Sequence, residues 1–257
     1  MDNELKRLNS LAWDGEVEKG NWWTRPASHE TIQRAKEGEV EITLTPCRRV
    51  PSSWCGRIGH RVLALASGGG QQGPILAASG RDVTVVDLSA AQLEQDRKTA
   101  AREDLALRTV RTSMDELDCF EDEAFDCVVN PVSVNFVPDC KEVFTQVRRI
   151  LVKDGLFLFA VANPIMYIFD VKGLEKGRMR IRYTLPFSSD HSLSVRQRRR
   201  MAERGDTFEF SHSLDSLIGG LCATGFAIED FYSDASGFEP VDSFVQDCYL
   251  AFLARAL

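Results

Sequence analysis

The segment from Arg61 to Asp87 constrains this chain more than any other. Arg61–Ala66 (RVLALA) is a short apolar run followed at once by Ser67-Gly68-Gly69-Gly70. A run of that kind reads as a buried strand that ends in a turn. Pro74 then stands at an expected first helical position, apolar residues continue through Ala78, and Gly80 supplies a stop. Asp82–Asp87 (DVTVVD) is short and β-branched, a second strand. Strand, glycine turn, helix, strand makes a βαβ unit, whose strands lie parallel and whose crossover is right-handed.

The same beat continues. Ser89 caps a polar helix from Ala90 to about Glu103, Leu107–Thr112 suggests a third strand, and Phe125–Val132 a fourth. Lys141–Val152 has helical spacing, with Val143, Phe144, Val147, Ile150 and Leu151 on one face. A turn at Asp154-Gly155 leads into a fifth strand, Leu156–Val161. A helix is expected near Leu214–Thr224, then two strands close in sequence, Phe226–Tyr232 and Tyr249–Arg255, one of them antiparallel. The expected fold class is α/β, a Rossmann-like, doubly wound and mostly parallel sheet. Residues 1–60 do not share the beat. They hold all four tryptophans (Trp13, Trp22, Trp23, Trp54) and are broken by Pro26, Pro46 and Pro51. They read as an N-terminal helical and extended arm, with helices near 3–11 and 28–37, ahead of a domain over 61–257 that carries an insert at about 163–208.

Charge and cysteine usage narrow the function. Thirty-eight acids against thirty-one bases leave a net charge of −7, which disfavours nucleic acid as a general partner. The basic cluster Arg196-Gln197-Arg198-Arg199-Arg200 reads as a solvated helix face balanced by Glu203 and Asp206, or else as a phosphate contact. Apolar runs such as Leu156–Ala162 fall far short of the roughly 20 residues that span a membrane. The opening MDNELKRLNS has no apolar core of a secretory signal. The seven cysteines are odd in number and form no C-x-x-C, so they read as reduced thiols of a cytoplasmic protein with no metal site.

Gly68-Gly69-Gly70-Gln71-Gln72-Gly73 fits G-x-G-x-x-G between a strand and a helix. Glycines let a ligand approach the backbone, and a helix N-terminus offers unpaired N–H groups. Asp87, nineteen residues beyond Gly68 at the end of the next strand, could accept both ribose hydroxyls of an adenine nucleoside. Two cofactors suit this layout, a nicotinamide dinucleotide and S-adenosylmethionine.

Further motifs separate the two. Phe125-Asp126-Cys127-Val128-Val129 follows an acidic turn, and Arg149-Ile150-Leu151 precedes Lys153-Asp154-Gly155. Here the chain resembles the class I S-adenosylmethionine-dependent methyltransferases over residues 60–162. Trp23-Thr24, Leu44-Thr45-Pro46, ASGGGQQGP at 66–74, NPVSVNFVPD at 130–139 and EFSHSL at 209–214 are similar to a branch of uncharacterised bacterial members. The resemblance implies a seven-stranded sheet with one antiparallel strand and S-adenosylmethionine as cofactor. It implies that Ala66, Ser67, Gly68, Gly70 and Gln72 form the first-motif loop at the methionine end. Asp87 is the implied ribose acid and Leu88 lies beside the adenine; Ser113 and Met114 are the adenine-binding pair. Asn130, Pro131 and Val132 stand beside the transferred methyl. The chain departs from the class pattern at Ala64 (usually an acid), Ala66 (usually glycine) and Ser113 (often aspartate).

The implied reaction is methyl transfer to a small-molecule acceptor by in-line displacement, which needs alignment first and a base only when the acceptor loses a proton. His212 is the candidate base, with a helix-capping or structural histidine as the other reading. Asn135, Phe136 and Tyr167 are candidate acceptor contacts, or else loop and core residues. Trp22 and Trp23 could close over the cofactor or staple the arm. Two rival functions remain open at this point: an NAD(P)-dependent oxidoreductase, which lacks a Tyr-x-x-x-Lys pair here, and a non-catalytic binder of S-adenosylmethionine or its product.

Overall fold

The computed structural model describes residues 3–170, 173, 177–239 and 241–257. Seven strands form one sheet: β1 (Arg61–Leu65), β2 (Asp82–Asp87), β3 (Arg108–Arg111), β4 (Phe125–Asn130), β5 (Leu151–Ala162), β6 (Phe226–Asp234) and β7 (Tyr249–Ala256). Their order is β3-β2-β1-β4-β5-β7-β6. β1 to β5 pair in parallel, and β7 runs antiparallel to both β5 and β6. The sheet is the seven-stranded, mostly parallel one expected.

Both faces are covered, and the alternation of side chains along the strands divides the core in two. Leu63 and Leu65 of β1 face the layer built by α6 (Cys140–Ile150), a π-helical turn (Asp215–Gly219) and α8 (Gly220–Ala223). Val62 and Ala64 face the layer built by α2 (His29–Lys36), α4 (Gln72–Ala78) and α5 (Ala90–Glu103). The α6 stripe is as expected: Val143, Phe144, Val147 and Ile150 are fully buried, and Phe144 meets Phe157 and Phe159 edge-on. Ser89 caps α5 as expected, its hydroxyl accepting from Gln92 N at 3.1 Å.

Two expectations need correction. Leu151 does not extend α6 but opens β5, and the Asp154-Gly155 turn is absorbed into that strand as a bulge. Phe125 pairs with Leu151 and Cys127 with Leu156, so five steps along β5 match two along β4. Asp154 takes φ +61°, and its carboxylate accepts from Arg255 at 2.7 Å. The polar turn signal is real, but sheet pairing on both sides continues the strand through it.

The N-terminal residues are integrated. α1 (Asn3–Glu18) is longer than the 3–11 segment expected and lies over the strand ends, while α3 (Ser52–Cys55) buries Trp54. Ser28 caps α2, which packs Ile32 and Ala35 into the second core. α7 (Val195–Arg204) carries the basic cluster; it has no buried residue, and Arg199 pairs with Glu203 at 2.9 Å. Among the described residues no helix is long and apolar enough to cross a membrane.

Gly73 shows how closely α4 approaches β2. A Cβ there would lie 2.5 Å from Val85 Cγ2. Gly73→Ala is expected to destabilise by about 1–3 kcal/mol through overpacking, read as a lower urea midpoint.

Candidate active site at the strand ends

In an open α/β sheet, ligands bind in the crevice outside the carboxyl ends of the strands. Here the loop after β1 builds its floor. Ala66 takes φ +44°, Gly69 φ +105° and Gly70 φ +75°. Ala66 therefore holds a left-handed conformation that glycine adopts more freely. Gly68 N donates to Asp87 Oδ2 at 2.9 Å and Ser89 N donates to Asp87 Oδ1 at 2.9 Å. One carboxylate thus ties the ends of β1 and β2 together. A Cβ on Gly68 would stand 2.6 Å from Gln92 Cβ and 2.9 Å from Asp87 Oδ2, so only glycine fits.

Burial pushes the Asp87 carboxyl up to about 6. The N–H groups of Ser89, Gly68 and Leu88 oppose that rise, and the Asp14 carboxylate adds to it. A second acid, Asp96 on α5, is fully buried and accepts from Gly69 N at 3.0 Å. Burial pushes Asp96 well above the usual carboxylate range.

The roof comes from the N-terminal arm. Asn9 on α1 donates to the carbonyls of Phe136 (3.2 Å) and Phe208 (3.1 Å) and accepts from Phe208 N (2.8 Å). Trp13 meets the Phe136 ring edge-on, centroids 5.4 Å apart. Asp14 accepts from Ser89 Oγ at 2.5 Å and from Ala91 N at 3.0 Å, fastening α1 to the start of α5. Gln71 donates to the carbonyls of Trp23 (3.1 Å) and Arg25 (2.9 Å), which binds the arm to the glycine loop.

Between floor and roof lies a cleft of about 790 Å³, including the part that opens to solvent. Ala66, Ser67, Gly68 and Gln72 line it from the first motif. Asp87, Leu88, Ser113 and Met114 line it from the ends of β2 and β3. Pro131, Val132 and Phe136 close it after β4. Trp23 lines it while Trp22 stacks behind, their centroids 4.0 Å apart. The Ser113 hydroxyl is engaged with Asp115, which pairs with Lys6 of α1 at 3.3 Å.

Five sequence candidates stand outside this lining. Gly70 packs under α5, where a Cβ would lie 2.6 Å from Thr99 Oγ1. Asn130 is fully buried and donates to Leu65 O and Ser133 Oγ, each at 2.7 Å. His212 is 9% exposed, and its Nε2 lies 3.0 Å from the Val134 carbonyl oxygen. Burial lowers the His212 pKa, so the ring is held neutral. Asn135 and Tyr167 lie beside the cleft in a separate polar cluster described below. Sequence reasoning missed Asn9, Trp13, Gln71, Gln92 and Asp96. Only Asp96 left a trace, three residues after Leu93 and four before Ala100 on the buried stripe of α5.

The cleft suits an adenosyl cofactor. A cleft-facing carboxylate, Asp87, stands beside a bare glycine loop, and the buried Gln92 Oε1 on the cleft wall has no hydrogen-bond partner. The comparisons agree. The family described as "Methyltransferase domain" matches residues 63–159. The chain is 41% identical over 237 residues to the uncharacterized methyltransferase YbaJ of Bacillus subtilis (strain 168), covering 92% of this chain and 93% of that one. It is 24% identical over 184 residues to the ubiquinone biosynthesis O-methyltransferase of Psychrobacter arcticus, covering 67% and 69%. Among solved structures, the 1,6-didemethyltoxoflavin-N1-methyltransferase of Burkholderia thailandensis, with bound 1,6-didemethyltoxoflavin and S-adenosylhomocysteine, aligns with a TM-score of 0.61 at 17% identity. That alignment covers 100% of this chain and 90% of the other. An S-adenosylmethionine-dependent methyltransferase from Mesorhizobium loti aligns at 0.59 with 20% identity, covering 77% and 92%.

The chain belongs to the class I S-adenosylmethionine-dependent methyltransferases. It is an enzyme of that class, and S-adenosylmethionine is its cofactor.

Proposed function

We propose that the protein methylates a small-molecule acceptor, with the cofactor lying along the cleft from the glycine loop to the end of β3. The observation that carries this reading is the Asp87 carboxylate, which closes the loop through Gly68 N while facing the cleft. S-adenosylmethionine supplies a methyl carbon already activated by its sulfonium. Asp87 accepts hydrogen bonds from the ribose hydroxyls, Leu88 and Met114 wall the adenine, and Ala66, Ser67, Gly68 and Gln72 receive the methionine end. Pro131, Val132 and Phe136 exclude water beside the methyl, and Asn135 and Tyr167 contact the acceptor. Asn130 positions the β4 turn through Ser133, and Gly70 keeps the loop close to α5. His212 holds the Val134 carbonyl and so shapes that turn.

The cleft, lined by Trp13 and Trp23, favours a small acceptor over a polymer. The toxoflavin-named neighbour has a small molecule, 1,6-didemethyltoxoflavin, bound together with S-adenosylhomocysteine. All seven cysteines are free and four are buried, which supports a cytoplasmic setting. The test is thermal denaturation with S-adenosylhomocysteine, S-adenosylmethionine or NADH in separate wells. At a hundredfold excess over Kd a ligand stabilises by about 2.7 kcal/mol, a rise of several degrees. The two sulfur ligands are expected to give it and NADH to give none; the reverse pattern would sink the cofactor assignment.

A further inference from the structure

Beside the cleft, beyond the ends of β4, β5 and β7, lies a polar cluster that cofactor binding does not use. Glu209 sits in an extended segment between Phe208 and Phe210, both buried against α1. Alternation along an extended chain sends the Glu209 side chain to the opposite face. There its Oε2 accepts from Tyr167 Oη at 2.7 Å and its Oε1 accepts from Thr207 Oγ1 at 3.0 Å. Its backbone is pinned as well: N donates to Ser189 Oγ and O accepts from Ser189 N, both at 2.9 Å. Asn135 reaches the same carboxylate from the turn after β4. The Asn135 Oδ1 is buried with no hydrogen-bond partner.

The cluster continues the crevice. Asn135 precedes Phe136 of the cleft wall, and its carbonyl accepts from Phe210 N at 2.8 Å. Tyr249 at the start of β7 meets Trp23 of the cleft edge-on, centroids 6.5 Å apart. Tyr167 stacks on Phe187 at 5.6 Å, and Phe187 meets Tyr183 at 5.1 Å. The cluster therefore offers a hydrogen-bond acceptor among aromatic walls. Glu209 as a residue is half-buried, while its carboxyl sits among Tyr167, Thr207 and Asn135. Its partners are neutral hydroxyls and an amide, which orient the carboxylate without neutralising it.

We infer that Glu209, oriented by Tyr167, Thr207 and Asn135, is the general base for an acceptor that presents a hydroxyl or amine on an aromatic ring. The inference rests on the methyltransferase reading of the adjacent cleft. The acceptor's lone pair forms the new bond to the methyl carbon while sulfur keeps the electron pair of the bond that breaks. The acceptor's O–H or N–H proton goes to a Glu209 carboxylate oxygen. His212 lies outside the cleft lining with its Nε2 on the Val134 carbonyl oxygen, and burial lowers its pKa, so Glu209 is the better placed group. Burial pushes Glu209 above the usual carboxylate range, which brings it nearer to the working range of a base. Tyr167 and Asn135 face it from the turns after β5 and β4, and Tyr249 faces it from β7.

The test uses the full chain and Glu209→Gln, a variant of nearly the same shape that removes the carboxylate charge. S-adenosylhomocysteine should raise the melting midpoint of both proteins equally. No rise in the wild type would strike the cofactor reading, and a lost rise in the variant alone would strike the assignment of Glu209 to the acceptor side. Calorimetry on the S-adenosylhomocysteine-loaded protein then compares phenol, aniline and anisole. Phenol or aniline should bind at least about tenfold more tightly than anisole, and Glu209→Gln should erase that preference. With labelled S-adenosylmethionine, transfer to the preferred probe should rise with pH to a plateau. Glu209→Gln should lower the plateau about 10²–10⁴-fold and remove the acid limb. Anisole binding as tightly as phenol and aniline, no binding of any probe, or transfer by the variant within about threefold of wild type would each overturn the inference.

Discussion

Asp87→Ala is expected to abolish stabilisation by S-adenosylhomocysteine while changing the stability of the free protein far less. The two halves have one cause. In the free protein the carboxylate is held in a desolvated position, which raises its pKa to about 6. Protonation is thus easier in the fold than in the unfolded chain. Asp87 opposes folding above pH 6, and that opposition fades as pH falls through 6 toward the unfolded value. Removing the group removes the opposition but leaves Gly68 N and Ser89 N without their acceptor, at about 1–3 kcal/mol each, so the two effects offset. With ligand present the balance inverts, because the same carboxylate receives two hydroxyl donors. Hydrogen bonds to a charged group are worth about 1.5–3 kcal/mol each, so the variant should lose about a hundredfold or more in affinity. Wild-type affinity should also fall as pH drops below 6, by up to about tenfold per unit, while Asp87→Asn should show no such limb. Calorimetric titration at several pH values reads both effects. Equal affinity in variant and wild type would mean that the ribose is held elsewhere.

The second large effect is expected at Asn9→Leu. The Asn9 amide satisfies Phe208 N, Phe208 O and Phe136 O, and the residue is 2% exposed. Leucine is near its size but leaves three backbone groups without partners, at about 1–3 kcal/mol each. The loss should total about 3–9 kcal/mol and lower the melting midpoint by roughly 10 °C or more at about 2–4 °C per kcal/mol. Part of it should appear as local opening, since α1 can lift before the sheet unfolds. Hydrogen exchange should therefore quicken across α1 and residues 207–211 before it quickens in β1. Cofactor affinity should fall too, because Trp13 and the Phe136 loop separate when α1 lifts. A loss below about 1 kcal/mol would show that α1 is held by its apolar contacts instead.

Most of the sheet was legible because its signals are local. β2 runs from Asp82 to Asp87 as its β-branched run proposes, and the Ser89 cap and the α6 stripe are short-range patterns too. What escaped depends on partners far away in sequence. The turn at Asp154 became strand because β4 pairs with Leu151 before it and with Leu156 after it, which no nearby residue announces. Asn9 reads as one polar residue on a polar helix, yet its partners lie 127 and 199 residues away. Asp96 hid among the charges of α5, and only its place on the stripe of Leu93 and Ala100 marks it as buried. Glu209 opened the EFSHSL segment but was given no role, since its meaning comes from Tyr167, 42 residues earlier. The candidate cofactor residues after β1 and β2 were easier to nominate, because strand ends and glycine turns leave short-range marks.

The place of β7 has a kinetic consequence. This strand, the last of the seven in chain order, inserts between β5 and β6 rather than adding at an edge. Until residues 249–256 emerge, β5 and β6 have no shared neighbour, and the apolar edge of β5 is open to pairing with other chains. The N-terminal βαβ unit can assemble early, but the sheet closes only in one late, long-range step. Synthesis at about 5–20 residues per second leaves that edge exposed for several seconds between β5 and β7. Aggregation during expression should therefore depend on what happens in that interval, and a co-expressed chaperone that shields β5 should raise soluble yield more than any change in the glycine loop.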